Sequence, residues 1–170
     1  MSTSNLLTLA SELKTELTTN ILPFWITQMI DTQNGGFYGR IDGNGNIYPS
    51  ADKGCVLNAR ILWTFASAYR ILQKPEYLET AKRAKDYIFK YFNDAEYGGV
   101  YWLIDYKGGI ADGKKQIYAQ AFVIYALVEY YRATNDVHSL NKAIELYELI
   151  EKHSYDNIRS GYFEAFNRVW

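Results

Sequence analysis

Cysteine, proline and long apolar runs are scarce in this chain, and each scarcity removes a class of protein. The single cysteine, Cys55, excludes an intramolecular disulfide framework and fits a reducing compartment. No apolar run approaches the roughly 18 residues that a membrane-spanning helix needs. The N-terminal residues show no cationic start followed by an apolar core, so they do not predict a secretory signal peptide. We therefore expect a soluble, cytoplasmic protein with no membrane partner.

An excess of charge of either sign is also missing. The 18 basic and 19 acidic residues leave a net charge of -1, which argues against nucleic acid as an electrostatic partner. The sequence shows no Cys/His cluster with metal-ligand spacing, no phosphate-binding loop and no nucleophile elbow. Composition and motifs thus predict neither a metal nor a cofactor.

Aromatic residues, in contrast, are abundant. The chain has 16 tyrosines, eight phenylalanines and four tryptophans among 170 residues. Aromatic faces with polar tips suit sugar rings, because C–H bonds stack on the ring while hydroxyl groups take hydrogen bonds. The same residues also serve to pack helix against helix. Composition alone leaves both interpretations open.

The chain repeats itself without gaps at a spacing of 62 residues, and this repeat predicts its architecture. Each copy ends in a glycine-aromatic segment that predicts a short hairpin; these segments begin at Asn34, Tyr97 and Ser160. A fixed internal period indicates one unit used repeatedly, each copy packing on the next. The paired positions include Lys53/Lys115, Ala59/Ala121, Tyr69/Tyr131, Arg70/Arg132, Ala81/Ala143, Ile88/Ile150, Asp94/Asp156 and Gly99/Gly161.

Apolar periodicity predicts about five helices. Pro23 is expected to kink or break the first, and Pro75 to begin the third. The ranges are a long first helix from about residue 6 to 25, followed by helices at about 53–72, 75–92, 115–133 and 136–153.

The helices of each unit differ in polarity, which predicts two layers. Residues 56–65 and 118–128 are apolar almost all round, whereas residues 78–92 and 140–150 carry charge on one face. We predict an all-α fold: part of an (α/α)6 barrel in inner and outer pairs, with glycine-rich hairpins at one rim. Residues 1–170 are predicted to form a single, incomplete domain. Its open edge would expose an apolar wall and favour self-association.

Two residues depart from the repeat and are our candidates for a functional site. Residues fixed by packing should recur in the sister unit, as Lys53, Arg70 and Asp94 do. Arg60, however, corresponds to Phe122, and Tyr118 corresponds to Val56. Both candidates lie on equivalent faces of neighbouring inner helices, where a ligand could meet them. The alternative is structural: an arginine paired with a core carboxylate and a tyrosine capped by a carbonyl.

Three segments together resemble the N-acylglucosamine 2-epimerase superfamily, and within it the cellobiose 2-epimerases. They are ADKGCVLNARILWTFASAYR, KKQIYAQAFVIYAL and IEKHSYDNIRSGYFEAFNRVW. The resemblance covers essentially all of the chain but only the N-terminal portion of the family. It implies an (α/α)6 barrel.

The resemblance also implies an activity and site residues. Enzymes of this family open a reducing-end sugar and invert C2 through an enediolate, with histidines moving the proton. By resemblance, Arg60 is the active-site arginine and Tyr118 contacts the sugar; no cofactor or metal is implied. The catalytic histidines of the family lie beyond the position of Trp170, and neither His138 nor His153 matches one. The resemblance thus implies no catalytic residue in this chain, which we expect to be inactive alone.

Two other functions remain open from the residues themselves. A glycoside hydrolase or lyase on the same barrel would need two carboxylates about 5–10 Å apart. Asp105, Asp112 and Glu164 are candidates, although their spacing does not single out a pair. A non-catalytic helical scaffold would use the aromatic surplus for protein contacts.

Overall fold

The computed structural model describes residues 3–170, which divide into two compact units, one ending at Ile30 and one spanning Asp31–Trp170. The first unit contains α1 (Thr3–Glu16), a π-helical turn (Leu17–Ile21) and α2 (Leu22–Thr27). Pro23 lacks a backbone N–H, and the N–H of Leu22 donates to Leu17 O, one residue further back than in an α-helix. The predicted irregularity near Pro23 is therefore confirmed as a widened turn.

The second unit contains the remaining predicted helices, with ends within about three residues of those expected. Gln73 and Asn135, one repeat apart, end α3 and α5 in the left-handed conformation with φ of 55° and 58°. Each donates its backbone N–H to a tyrosine carbonyl four residues earlier. The bounds are α3 (Cys55–Leu72), α4 (Pro75–Tyr87) with a π-helical extension (Ile88–Phe92), α5 (Ile117–Thr134) and α6 (Val137–Ser154).

The packing of these helices is centred on α3 and α5. Helix α3 contacts both α4 and α5, and α5 contacts α6. Small residues on the buried faces, such as Ala59 and Ala126, let the helix backbones approach closely, while Leu62 and Leu127 fill the space between them. The chain is mostly helical, as predicted, and within the described residues no helix combines the length and apolarity that a bilayer crossing requires.

Short strands in two of the glycine-rich hairpins pair with the residues that immediately precede α3 and α5. The strands are β1 (Lys53–Gly54), β2 (Leu103–Ile104), β3 (Ile110–Asp112), β4 (Lys115–Gln116) and β5 (Ala165–Phe166). The antiparallel order is β1-β2-β3 in one sheet and β4-β5 in the other. Lys53 pairs with Ile104, and Lys115 pairs with Phe166, at the same offset in both copies.

The placement of residues 53–54 and 115–116 in helices was wrong. Apolar periodicity does not report pairing with a strand about fifty residues away, and the backbone there is extended to make that pairing. The helices therefore begin two residues later, at Cys55 and Ile117.

Three hairpins begin with the same aspartate turn. We call them hairpin 1 (residues 31–47), hairpin 2 (residues 93–112) and hairpin 3 (residues 155–166). In each, Oδ1 of the first aspartate accepts two backbone N–H bonds from residues two and three positions later. Asp94 and Asp156, which recur one repeat apart, are thus turn residues, and Asp31 is the third member.

Candidate functional site

Helices α3 and α5 together form an open pocket of about 460 Å³. Arg60 from α3 and Tyr118 from α5, the two residues singled out by the sequence, both line it. The other lining residues are Trp63, Thr64, Phe122 and Tyr125. The structure thus brings the two predicted site residues together in one concave surface.

Helical spacing explains why these side chains share the pocket. Arg60, Trp63 and Thr64 are three and four residues apart on α3. Tyr118, Phe122 and Tyr125 are four and seven residues apart on α5, so each set lies on one helix face. Because α3 and α5 are equivalent copies of the repeat and pack against each other, their corresponding faces meet.

Neither structural alternative is seen for the two candidates. Arg60 is exposed rather than buried, and none of residues 3–170 forms an ion pair with its guanidinium. Tyr118 is 52% exposed and packs edge-on against Phe122, at 4.8 Å between ring centroids. No hydrogen bond holds its hydroxyl within the described part of the chain. A cation and a phenol therefore face the pocket with their hydrogen-bonding capacity unused.

Sequence reasoning missed the aromatic pair beside them. The rings of Trp63 and Tyr125 stack at 5.1 Å with an interplanar angle of 12°. These residues occupy equivalent positions one repeat apart, as an aromatic in both copies. Because we assigned a structural role to recurring residues, this pair was passed over. The presence of an aromatic residue at both positions was the signal that could have identified it.

The recurring charged residues are structural, as predicted. Lys53 Nζ lies 2.8 Å from Asp31 Oδ2, Lys115 Nζ lies 2.7 Å from Asp94 Oδ2, and all four side chains are fully buried. Burial alone raises the pKa of the Asp31 carboxyl. Hydrogen bonds from the backbone of Asn34 and from Lys53 outweigh burial, so its pKa lies below the usual value.

Arg70 and Arg132, the other recurring pair, meet at a single carboxylate. Arg70 Nε lies 2.7 Å from Glu129 Oε1, and Arg132 Nη1 lies 2.8 Å from Glu129 Oε2. Glu129 is almost fully buried in α5, so the two arginines compensate its charge.

The matched amides Asn58 and Gln120 also make structural hydrogen bonds. The Gln120 side chain accepts the N–H of Val100 and donates to its carbonyl, each at 2.8 Å. The shorter Asn58 donates to Gly54 O at 2.9 Å, and no protein group in residues 3–170 reaches its buried Oδ1. Both amides therefore act within the fold and not in the pocket.

The histidines and the hairpin residues lie outside the pocket. His138 packs edge-on against Phe89, and His153 stacks on Trp170 at 4.7 Å between ring centroids. Burial, with a smaller contribution from Lys152, lowers the pKa of His153. Trp102 lies under Lys114, and Glu164 is exposed. None of them joins Arg60 and Tyr118, and within residues 3–170 no group of carboxylate, histidine or cysteine side chains is arranged to hold a metal ion.

Known proteins resemble this chain along most of its length. The N-acylglucosamine 2-epimerase (GlcNAc 2-epimerase) family profile matches residues 36–170. The Cellobiose 2-epimerase of Bacteroides fragilis is 53% identical over 95% of this chain and 41% of its own length. Among solved structures, the cellobiose 2-epimerase of Bacillus thermoamylovorans is 44% identical with a TM-score of 0.93, over 96% of this chain and 42% of that one. The cellobiose 2-epimerase of Spirochaeta thermophila is 38% identical with a TM-score of 0.95, over 99% of this chain and 41% of that one.

Proposed function

This chain belongs to the N-acylglucosamine 2-epimerase family, and we propose that it is the N-terminal part of a sugar 2-epimerase. The proposed substrate is a disaccharide such as cellobiose, inverted at C2 of the reducing-end sugar. The chain spans about two-fifths of the length of the relatives it matches. We accordingly propose that residues 1–170 are one incomplete domain of an (α/α)6 barrel, with α3 and α5 in its inner layer.

The pocket between α3 and α5 carries the proposal. Arg60 and Tyr118 present a permanent cation and a hydroxyl group, and no described residue satisfies either one. A sugar supplies oxygen acceptors for the guanidinium and hydroxyl partners for the phenol. The stacked rings of Trp63 and Tyr125 add an apolar surface beside these polar groups, suited to the C–H faces of a sugar ring.

The proposed chemistry is proton removal from C2 followed by return of a proton to the opposite face. Removal of that proton leaves an enediolate with negative charge on its oxygens. In this proposal Arg60 stabilises those oxygens electrostatically, because a fixed cation costs no reorganisation as the charge develops. Tyr118 orients the sugar by a hydrogen bond. The acid and base are the family's histidines, which we place outside residues 1–170.

Replacing Arg60 with alanine tests the binding role. We expect cellobiose to bind about 10- to 100-fold more weakly, because a hydrogen bond from a charged group contributes about 1.5–3 kcal/mol. Trp63 lies in the same pocket, so tryptophan fluorescence during titration with cellobiose measures the change. Stability should be nearly unaffected, since Arg60 is exposed and forms no ion pair with residues 3–170.

Arg159→Ala is the matched control, because Arg159 is an exposed arginine in the turn of hairpin 3. It should leave the affinity unchanged. Unchanged affinity in Arg60→Ala as well would favour the non-catalytic scaffold over a sugar site.

The 170-residue chain on its own is expected to be inactive. Its two histidines lie outside the pocket, so the proposal leaves it no proton-transfer group beside the substrate. A coupled assay for conversion of cellobiose to glucosyl-mannose should show no signal above the uncatalysed rate. Turnover by the isolated chain would contradict the assignment of the acid and base to residues outside it.

No observation favours a glycosidase over the epimerase. Asp105, Asp112 and Glu164 do not line the pocket. Hydrogen bonds from the backbone of Gly109 and Lys107 lower the pKa of Asp105. Burial alone raises the pKa of Asp112, but the bonds from Lys114 outweigh burial and lower it. A glycosidase general acid needs a carboxyl whose pKa is raised.

A further inference from the structure

The pocket between α3 and α5 contains one more residue that departs from the repeat. Thr64 lines this pocket, and its counterpart one repeat later is Ala126. Alanine is the better helix former, because threonine loses side-chain freedom against the preceding turn. Helix packing in the second copy needs no hydroxyl group at this position, so the architecture that the two copies share does not explain the threonine of α3.

The hydroxyl group of Thr64 makes no hydrogen bond within the fold. A threonine in a helix can donate to the carbonyl four residues earlier, as Thr80 does to Glu76 O and Thr134 does to Tyr130 O, each at 2.7 Å. Among residues 3–170, no protein group forms a hydrogen bond with the Thr64 hydroxyl. The side chain is partly exposed, and its hydroxyl can both donate to and accept from a ligand.

Thr64 and Arg60 together form a polar stripe on α3. They are four residues apart, so they lie on one face of the helix with their Cβ atoms about 6 Å from each other. Their counterparts on α5, Phe122 and Ala126, are both apolar. Polar groups at these two positions therefore belong to α3 alone, and the stripe places a hydroxyl group one helical turn from the guanidinium-bearing residue.

We propose that Thr64 is a specificity-determining residue of this site and that its hydroxyl binds the C6 hydroxyl of the reducing-end sugar. The inference rests on the proposed function, in which Arg60 stabilises the oxygens at C1 and C2. Apart from the C5 oxygen that closes the ring, the reducing-end unit of cellobiose has two further free hydroxyl groups, at C3 and C6. The C3 hydroxyl adjoins C2, whereas the C6 hydroxyl lies at the far end of the unit and suits a partner one helical turn from Arg60.

This contact predicts a preference for a hexose over a pentose at the reducing end. A pentose has no C6 hydroxyl, so the Thr64 hydroxyl would lose its partner. The expected difference in affinity is about 3- to 10-fold, which is the range for one hydrogen bond between neutral groups.

The test compares two ligands by tryptophan fluorescence of the 170-residue chain, since Trp63 lines the pocket. The ligands are cellobiose and its analogue without the C6 hydroxyl on the reducing-end unit. The unsubstituted chain should bind the analogue about 3- to 10-fold more weakly than cellobiose. Thr64→Val, which replaces the hydroxyl by a methyl group of similar size, should bind both ligands with the same, weaker affinity. Thr64→Ser keeps a hydroxyl group and should retain a preference for cellobiose.

Thr134→Val is the matched control, because Thr134 is a half-buried helical threonine outside the pocket. It should keep the affinities of the unsubstituted chain for both ligands, and circular dichroism verifies that each variant is folded. Equal binding of the two ligands by the unsubstituted chain overturns the inference. A Thr64→Val variant that still prefers cellobiose also overturns it, since any loss of affinity would then come from packing.

The same titrations separate this inference from the function on which it rests. If Arg60→Ala weakens cellobiose binding and Thr64→Val does not, the role of Thr64 is wrong and the sugar site stands. If neither substitution changes the affinity, or if cellobiose does not bind at all, both the sugar site and the role of Thr64 are wrong.

Discussion

Replacement of Lys53 with methionine is expected to lower the free energy of unfolding by about 3–5 kcal/mol, as breaking a buried ion pair typically does. Lys53 Nζ lies 2.8 Å from Asp31 Oδ2 and donates to Gly35 O at 2.7 Å, and both charged side chains are fully buried. Methionine keeps much of the apolar stem but leaves the carboxylate of Asp31 buried without a cation. Urea unfolding, with a check that the slope is unchanged, measures the loss.

Lys115→Met is the matched comparison within the same chain. Asp94 keeps a second cation, because Arg168 Nε lies 3.1 Å from its Oδ2. The loss should therefore be smaller than for Lys53→Met, and the double variant Asp31→Asn/Lys53→Met should recover part of the stability by removing the buried charge. An equal or larger loss in Lys115→Met would contradict this explanation.

The difference between wild type and Lys53→Met should depend on pH. The pKa of Asp31 is lower in the folded chain than in the unfolded one, where an aspartate has a pKa of about 3.9. The stabilisation is therefore fully present above that unfolded value and is lost as the pH falls through the lower folded value. Urea unfolding repeated at decreasing pH should show the two curves converging in acid.

Gly39→Ala is expected to destabilise the chain by about 3 kcal/mol, at the upper end of the cost of overpacking. A Cβ built on Gly39 would collide with the carbonyl oxygen of Asp52 and lie 2.8 Å from its carbonyl carbon. The obstacle is backbone, immediately before the buried Lys53, so relief requires moving the segment that positions the Lys53–Asp31 pair. Thermal or urea unfolding of the variant measures the loss.

Alanine substitutions at two other glycines of hairpin 1 distinguish the effect of a steric clash from the effect of backbone strain. A Cβ at Gly43 meets nothing within 4 Å, so Gly43→Ala should be nearly neutral. Gly45 is equally open but has φ of +84°, so Gly45→Ala should cost only the left-handed strain, about 1 kcal/mol. Equal losses at Gly39 and Gly43 would show that the close approach to Asp52 does not matter.

Helices were the most predictable part of the fold. The periodicity of apolar residues and the helix-terminating role of residues such as Pro75 and Asn135 depend on local geometry. The observed starts of α4 and α6 accordingly agree with the prediction within a few residues. The hairpin turns were also readable, because Asp94 and Asp156 bond to backbone groups only two or three residues away.

The candidate site was predictable only in part. Comparison of the two copies of the repeat singled out Arg60 and Tyr118, since each lacks a counterpart of its own type. That comparison selects only residues that differ between the copies. It therefore did not identify Trp63 and Tyr125, which recur and line the same pocket. It also left open a structural Arg60 paired with a core carboxylate, whereas the side chain is exposed.

By itself, the sequence determined the repeat, the helices and the departures from repeat symmetry, because these depend on spacing along the chain. The tertiary structure alone decided which distant groups meet. The carboxylate of Glu129 joins Arg70, 59 residues away, with Arg132. Lys53 reaches Asp31 across 22 residues, and β1 pairs with β2 about fifty residues later. Such pairings are selected by the free energy of burying a charge or a strand edge with its complement, a quantity that no local pattern contains.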